Sequence, residues 1–453
     1  MIWLQLFFRS WSLFLGLGLV FGGQGLLYTL VTYRGRLEGF STVELGFLMS
    51  AYFMGYFVGS WRGMKIIASV GHVRVFGALA SAASVIFLLL FMVPEFFETI
   101  GLGKTQGYIK PTYYSWFILR LINGFAAAVI LIIAESWLNE MSDNQSRGKN
   151  LSLYMMFSWG APILGNFLLW FIPAESNTLF ILGSIFVSMA AIPILMSAKS
   201  VPDFSFPDTV SLKLLYKISP VGLVGCFLAG CIHGNFIYSS SLFAVSVFPA
   251  QQNFGASIAS IIIAAGIFAI PFSGLISDKY DRRKVLLVIS IFGCVFTIMA
   301  LLITDMSQIS LYIWLAIIGT MVLPTYSLSV AHMNDWLAPK QMISASATLV
   351  LVYSVGMIIT PLLTGKAIAF FGPNAYFYLT LSIFAVLTLF CAYRMAVSDA
   401  PIVSDSESSV SVTPTMTALS SVFEEESQES LKNTDTNDEI DDIEHIDSDE
   451  KTK

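Results

Sequence analysis

Twelve apolar runs follow one another along the 453-residue chain, at 8–32, 43–61, 75–93, 114–138, 151–172, 178–198, 220–248, 257–277, 285–304, 311–336, 345–370 and 374–397. Each is near the ~20 residues that a helix rising ~1.5 Å per residue needs to cross a ~30 Å hydrocarbon layer. The pattern predicts an all-α integral membrane protein of twelve transmembrane helices, whose even number of crossings places both termini on one side. The polar segments between the runs decide which side. On the face shared with the termini, these segments and the adjoining ends of the runs carry fifteen Lys and Arg residues before residue 398, including Arg62, Arg74, Arg282 and Arg283; on the other face they carry five. Positive charge collects on the cytoplasmic side, so both termini are expected inside, in a plasma membrane (the inner membrane if the source is a Gram-negative bacterium).

Composition narrows the class further. The chain is 56% hydrophobic and only 12% charged, with mean hydropathy +0.74, against about a quarter charged residues in ordinary soluble domains. The net charge of −6 hides an asymmetry: residues 398–453 carry 16 acidic and 3 basic groups, whereas residues 1–397 carry 14 acidic and 21 basic. That acidic, Ser-rich tail lacks apolar periodicity and is expected to be disordered. The membrane body contains no basic stripe of the kind that binds nucleic acid. The four cysteines lie inside apolar runs without CxxC spacing and read as small helix-buried hydrophobes. No metal, cofactor or disulfide is expected, the first run reads as an uncleaved span, and the chain is expected to act as a monomer.

The chain also repeats itself. A polar stretch with two prolines, residues 199–219, separates six runs from six. The turn beginning at Gly59 (GSWRGMK) recurs at Gly274 (GLISDKY). Further along, Trp137, Tyr154 and Pro162 correspond to Trp336, Tyr353 and Pro361 at one common offset. Two parallel six-helix lobes are predicted, at 1–198 and 220–397, joined by a cytoplasmic linker at 199–219 and followed by the tail at 398–453. Parallel repeats around a midplane site are a transporter plan.

Here the residues carry a resemblance. The run 274–284, GLISDKYDRRK, resembles the signature loop of the major facilitator superfamily, and RLING at 120–124 resembles that family's second motif. More narrowly, ESWLN, NQSRG, AYFMGYFVGS, GHVR and AHMND are similar to the YcaD-like subgroup. The resemblance implies the twelve-helix fold in two pseudo-symmetric six-helix lobes, with spans one, four, seven and ten lining the pathway. It also implies that Gly274, Asp278, Arg282 and Arg283 form a conformational latch at the lobe boundary. In the first-half copy Arg62 and Arg74 retain the charge, but Gly63 stands where the aspartate belongs, so the latch is expected to be one-sided.

Candidate mechanistic residues follow from polarity inside spans. Arg120 lies about a turn and a half within span four, where a guanidinium costs about 2.5–3.5 kcal/mol on insertion scales. It either faces the pathway together with Asn123 or snorkels to the headgroups. Glu135, fifteen residues on, falls within about 60° of the same side and is either a protonatable gate or a wetted interfacial carboxylate. His233 titrates near neutrality and suits proton coupling, although helix-packing hydrogen bonds are the blander role. His233 shares a face with Ser240, and Asn235 shares another with Tyr238; the spacing does not say which face meets the cavity. Gln24, Tyr28 and Tyr326 are further pathway candidates. Asn139 in the first half, with His332 and Asp335 in the second, marks a candidate inner gate. GAPILGN at 160–166 only partly resembles an antiporter motif.

The expectation is a secondary active transporter moving a small solute by alternating access and coupled to protons, with efflux one candidate direction and import the other. A uniporter of an organic anion and a transporter-derived receptor are the alternatives. An enzyme is disfavoured because no nucleophile elbow, phosphate loop or metal cluster appears.

Overall fold

The computed structural model describes residues 11–101, 110–140, 147–197, 211–302, 307–337 and 339–397. All its regular elements are helices, and they group into twelve membrane-length rods. Spans one to six are Trp11–Leu37, Thr42–Val70, His72–Thr99, Pro111–Glu140, Arg147–Phe167 and Thr178–Ser197. A short helix, Leu212–Ile218, leads into span seven, which runs through Pro220–His233, a π turn at Gly234–Tyr238, and Ser240–Val247. Spans eight and nine are Gln252–Ser277 and Arg282–Leu302. Span ten is Gln308–Val322 continued by Pro324–Asn334, and spans eleven and twelve are Pro339–Phe371 and Ala375–Val397. Nine of these rods, among the described residues, are long and apolar enough by themselves to cross a membrane, and Thr178–Pro193 is a shorter apolar helix.

Local chemistry sets several boundaries. Span two opens with a reciprocal cap, Glu44 N donating to Ser41 Oγ at 3.2 Å and Ser41 N donating to Glu44 Oε2 at 2.8 Å. It ends at Gly71, whose φ of 94° lets the chain reverse into span three with a single intervening residue. Ser219 caps span seven ahead of Pro220, which suits the first helical position because its missing N–H has no partner there.

The pairing of helices repeats between halves. Span one packs on five and six, two on four, and three on four and six; correspondingly, seven packs on eleven and twelve, eight on ten, and nine on ten and twelve. The lobes meet through spans two with eleven and five with eight. Burial orders the rods in the same way. The most apolar windows of spans one, four, seven and ten are 72%, 61%, 78% and 67% buried, while those of nine and twelve are 33% and 39% buried. Large apolar side chains such as Phe268, Phe272, Leu302 and Phe370 are exposed on the outer surface, where acyl chains would cover them.

Two turns expected to be copies differ in form. Span eight stops at Ser277, but span two continues through Arg62 and Gly63 to Val70, about two helical turns beyond the corresponding point. Gly63 is buried against span four, where a Cβ would come within 3.0 Å of both Val129 and Ile132. An aspartate there would press a carboxylate into apolar side chains, which accounts for its absence from the first copy.

Candidate functional site at the lobe boundary

We call the side of the bundle that holds Trp11 and Val397 the termini face, and the opposite side the far face. At the far face five hydrogen bonds among the described residues tie the lobes. Thr32 and Ser241 share one at 2.9 Å, and Tyr33 Oη donates to the Gln251 carbonyl at 3.0 Å. The Gln252 amide donates to the Leu169 and Ile172 carbonyls at 2.9 Å each, and its oxygen accepts from Ala174 N. Spans two and eleven touch backbone to backbone here. A Cβ at Gly46 would lie 2.5 Å from the Pro361 carbonyl, and one at Gly365 would lie 2.5 Å from the Thr42 carbonyl.

Below this closure lies a cavity walled by both lobes, from spans one, two, four and five on one side and seven, eight and eleven on the other. Gln24 and Tyr28 are on its wall as expected, together with Tyr52, Tyr56, Trp159 and Asn166. Tyr28 stands edge-on to Tyr52 at 5.2 Å and, across the boundary, to Tyr238 at 5.3 Å. Phe53 meets Tyr238 at 4.7 Å. Tyr52 reaches this position because spans two and four touch at Gly55 and Gly124, where any Cβ would overlap the Leu121 and Tyr52 carbonyls respectively.

Arg120 is 2% exposed and does not snorkel. Its guanidinium lies 4.6 Å from the Tyr52 ring centre and 5.7 Å from that of Tyr28, and donates to Asn123 Oδ1 at 3.1 Å. The cation therefore sits directly behind the two tyrosines that face the cavity, stabilised by their π faces. Glu135, 3% exposed, is the single carboxylate among the described residues that is this deeply buried. It accepts a 2.8 Å hydrogen bond from Tyr154, and its charge is felt at Tyr56 and, across the boundary, at Tyr326.

Span seven resolves into two polar groups because of its π turn, which inserts an extra residue into the helical register. His233 points towards spans ten and eleven: Nε2 lies 3.0 Å from the Val322 carbonyl and Nδ1 lies 2.8 Å from Tyr353 Oη. A carbonyl only accepts, so Nε2 carries the proton and the neutral ring accepts from Tyr353. Asn235 donates to Thr380 at 2.7 Å and to the Tyr376 carbonyl at 3.1 Å, and accepts from Thr364 at 2.6 Å. Both therefore have partners inside the second lobe, while Tyr238, Ser240 and Ser241 line the cavity. Thus His233 and Ser240, seven apart, do not share a face. Tyr326 lies further back, with its ring edge-on to Tyr353 at 4.7 Å.

The charged turn at the termini face forms a compact network. Arg282 Nε donates to both carboxylate oxygens of Asp335, at 3.1 and 2.9 Å. Its Nη1 donates to Ser277 at 3.0 Å, and Nη2 lies 3.3 Å from Asp278. Arg283 pairs with Asp281 at 2.9 Å, His332 Nδ1 lies 3.9 Å from Asp335, and the Gly274 carbonyl accepts from Asp278 N at 3.0 Å. These partners join the turn to the end of span ten within one lobe; Asp278, Arg282 and Arg283 have further contacts besides. Burial pushes the Asp335 carboxyl above the ordinary aspartate value despite Arg282. Asp281, where burial also pushes upward, is nonetheless held below it by its hydrogen bonds and charge pairing with Arg283. Arg62 is exposed and lies over the Trp61 ring at 4.3 Å, and Arg74 is exposed. The side chain of Asn139 lies outside the described residues.

Tyr52, Tyr56, Trp159, Asn166 and Ser241 line the cavity without having been expected there, and all but Ser241 lie on spans two and five, outside the one-four-seven-ten set. The signal available was a pair of tyrosines four apart in mid-span two, one on each turn of one face.

Residues 223–426 match the Major Facilitator Superfamily sequence profile. The chain is 25% identical over 360 residues, 79% of its length and 88% of theirs, to proteins called uncharacterized MFS-type transporter YcaD from Escherichia coli O17:K52:H18 and from Shigella sonnei. In fold it is similar to a variant of the nucleoside transporter NupG, with TM-score 0.69 and 13% identity, covering 85% of this chain and 100% of that one. It is likewise similar to a D-xylose-proton symporter, with TM-score 0.65 and 14% identity, covering 85% and 97%. With the paired six-helix lobes and the turn at Gly274, these matches support the resemblance of the chain to YcaD-like transporters of the major facilitator superfamily.

Proposed function

We propose that the protein carries a small solute through the cavity at the lobe boundary by alternating access, drawing on a proton gradient through Glu135. The observation that carries the reading is the cavity itself, shared by both lobes and shut on the far face by cross-lobe hydrogen bonds and by the Gly46 and Gly365 contacts. A site shared by two rigid lobes is exposed to one side or the other when they rock. The termini face is taken as cytoplasmic from the distribution of Lys and Arg, in a plasma membrane, with the solute entering or leaving on that side in this conformation. The lobes at 1–198 and 220–397, the linker at 199–219 and the acidic tail at 398–453 complete the division of the chain, which acts as a monomer.

Glu135 is favoured as proton carrier because a deeply buried carboxylate near both lobes changes its charge on protonation and thereby its interactions with each lobe. His233 is a weaker choice, since both its ring nitrogens are engaged within one lobe. The turn from Gly274 to Arg283 serves as the latch, with Arg282 held between Asp278 and Asp335, and His332 and Asp335 belong to the inner gate. Uniport of an organic anion is less favoured, because the cation it would need, Arg120, lies behind Tyr28 and Tyr52 rather than on the wall.

The test is flux across proteoliposomes of the purified full chain, with a panel of labelled solutes and with or without an imposed pH gradient. Accumulation of a solute that collapses when the gradient is dissipated is expected. Flux indifferent to the gradient would remove proton coupling and restore uniport; binding with no flux of any solute would favour a receptor.

A further inference from the structure

The wall of the cavity is built from aromatic faces with few polar atoms. Tyr28, Tyr52, Tyr56, Tyr238 and Tyr353 line it with Trp159, and no described lining residue carries a charge. Besides the Ser158 hydroxyl, which can turn to either role, two polar atoms of fixed role on that wall have no hydrogen-bond partner among the described residues: the carbonyl oxygen of Gln24, on span one, and the indole N–H of Trp159, on span five. Both residues are 5% exposed, so bulk water does not serve them. Buried polar groups are seldom left unpaired, and an acceptor and a donor on packed neighbouring helices match a solute that offers one of each.

The charge of that solute follows from Arg120. Its guanidinium lies one ring away, behind Tyr28 and Tyr52. A cation entering the cavity would feel that charge at close range in a low-dielectric setting and be repelled. An anion would be attracted but would meet no charged donor on the wall, only ring faces, and could not recover its hydration there. A saturated polyol would find too few donors and acceptors for its hydroxyls. A flat, neutral ring system finds edge and face partners on both lobes.

Building on the transport reading above, we infer that the cavity selects an uncharged aromatic solute bearing one hydrogen-bond acceptor and one donor. A turn of each side chain brings the Gln24 carbonyl to its donor and the Trp159 N–H to its acceptor, and the tyrosines pack its ring. The side chains that close on it come from both lobes, so this solute would couple their movement.

Four probes of matched size separate the chemistries: benzamide (neutral, aromatic), benzoate (anionic), benzylammonium (cationic) and cyclohexanecarboxamide (neutral, saturated). Binding to the full chain in lipid nanodiscs, followed by saturation-transfer NMR and equilibrium dialysis, should favour benzamide at least tenfold over each of the other three. Trp159→Phe keeps a ring but removes the N–H, and Gln24→Leu keeps the bulk but removes the amide; each should weaken benzamide binding at least fivefold with an unchanged melting temperature. Benzoate, benzylammonium or cyclohexanecarboxamide binding as tightly, no benzamide binding, or two silent folded variants would overturn the inference. Flux of the same probes in proteoliposomes distinguishes the two readings. Benzamide binding without flux of any probe defeats transport and leaves the selectivity standing, whereas flux of a charged or saturated probe in preference to benzamide defeats the selectivity alone.

Discussion

The hydroxyl of Tyr154 donates a 2.8 Å hydrogen bond to Glu135, tying the deepest described carboxylate of span four to span five. The repeat-equivalent Tyr353 holds His233 at the same distance in the other lobe. Each half thus uses its fifth span to fix a titratable group. On the proposed mechanism the consequences differ. Glu135→Gln should abolish gradient-driven accumulation while preserving solute exchange at equal pH. Counterflow and pH-jump uptake on the same vesicles check this, and full retention of accumulation would dismiss Glu135 as the carrier.

Arg120 tests whether a positive charge or a flat cation is needed. Its contacts are two ring faces and one amide oxygen, and such ring contacts contribute about 0.5–2 kcal/mol when desolvated. Arg120→Lys keeps the charge but exchanges a planar, weakly hydrated group for a compact, strongly hydrated one. A lower melting temperature and at least tenfold slower transport are expected. Arg120→Lys behaving as wild type would show that charge alone suffices.

The network around Arg282 carries a pH signature. Asp335, whose carboxyl titrates above the ordinary aspartate value of 3.8, gains its proton first on acidification. The ionised form is the one disfavoured in the fold, so this step weakens the ion pair to Arg282 without lowering global stability. Asp281 behaves oppositely: its folded value lies below 3.8, so the stability it contributes is present above that pH and is lost only as pH falls through the lower folded value. A fluorophore at the exposed Lys279 should therefore report loosening of the turn at a pH above 3.8, and Asp335→Asn should remove that transition. A transition unchanged in Asp335→Asn would assign it elsewhere.

Closure at the far face should be sensitive to single methyl groups. Gly46→Ala places a Cβ about 2.5 Å from the Pro361 carbonyl, too close for a methyl group beside backbone. The variant is expected to shift the population towards a conformation with the far face parted. Labelling of a cysteine introduced at Ser241, on the cavity wall, by a membrane-impermeant reagent from the far side should accelerate severalfold. Unaltered labelling would place the gate away from spans two and eleven.

The sequence alone determined the twelve spans, the six-plus-six repeat and the family resemblance, because membrane crossing demands long apolar runs whose backbone is satisfied internally, and because the turn at Gly274 is local. For Arg120 the sequence left two covers open, the pathway and the headgroups, since a charge inside a span must find cover; the structure instead buries it against Tyr28 and Tyr52. What only the tertiary structure decided was the direction in which each polar side chain points. A π turn at Gly234–Tyr238 separated His233 and Asn235 from the cavity and brought Tyr238, Ser240 and Ser241 to it, a change of register invisible to a fixed helical period. Glycine contacts between spans two and four carried Tyr52 over Arg120, turning a cation expected on the pathway into one screened by two rings. Such placements depend on which helices meet and how closely, which is a property of the packed bundle and of no single span.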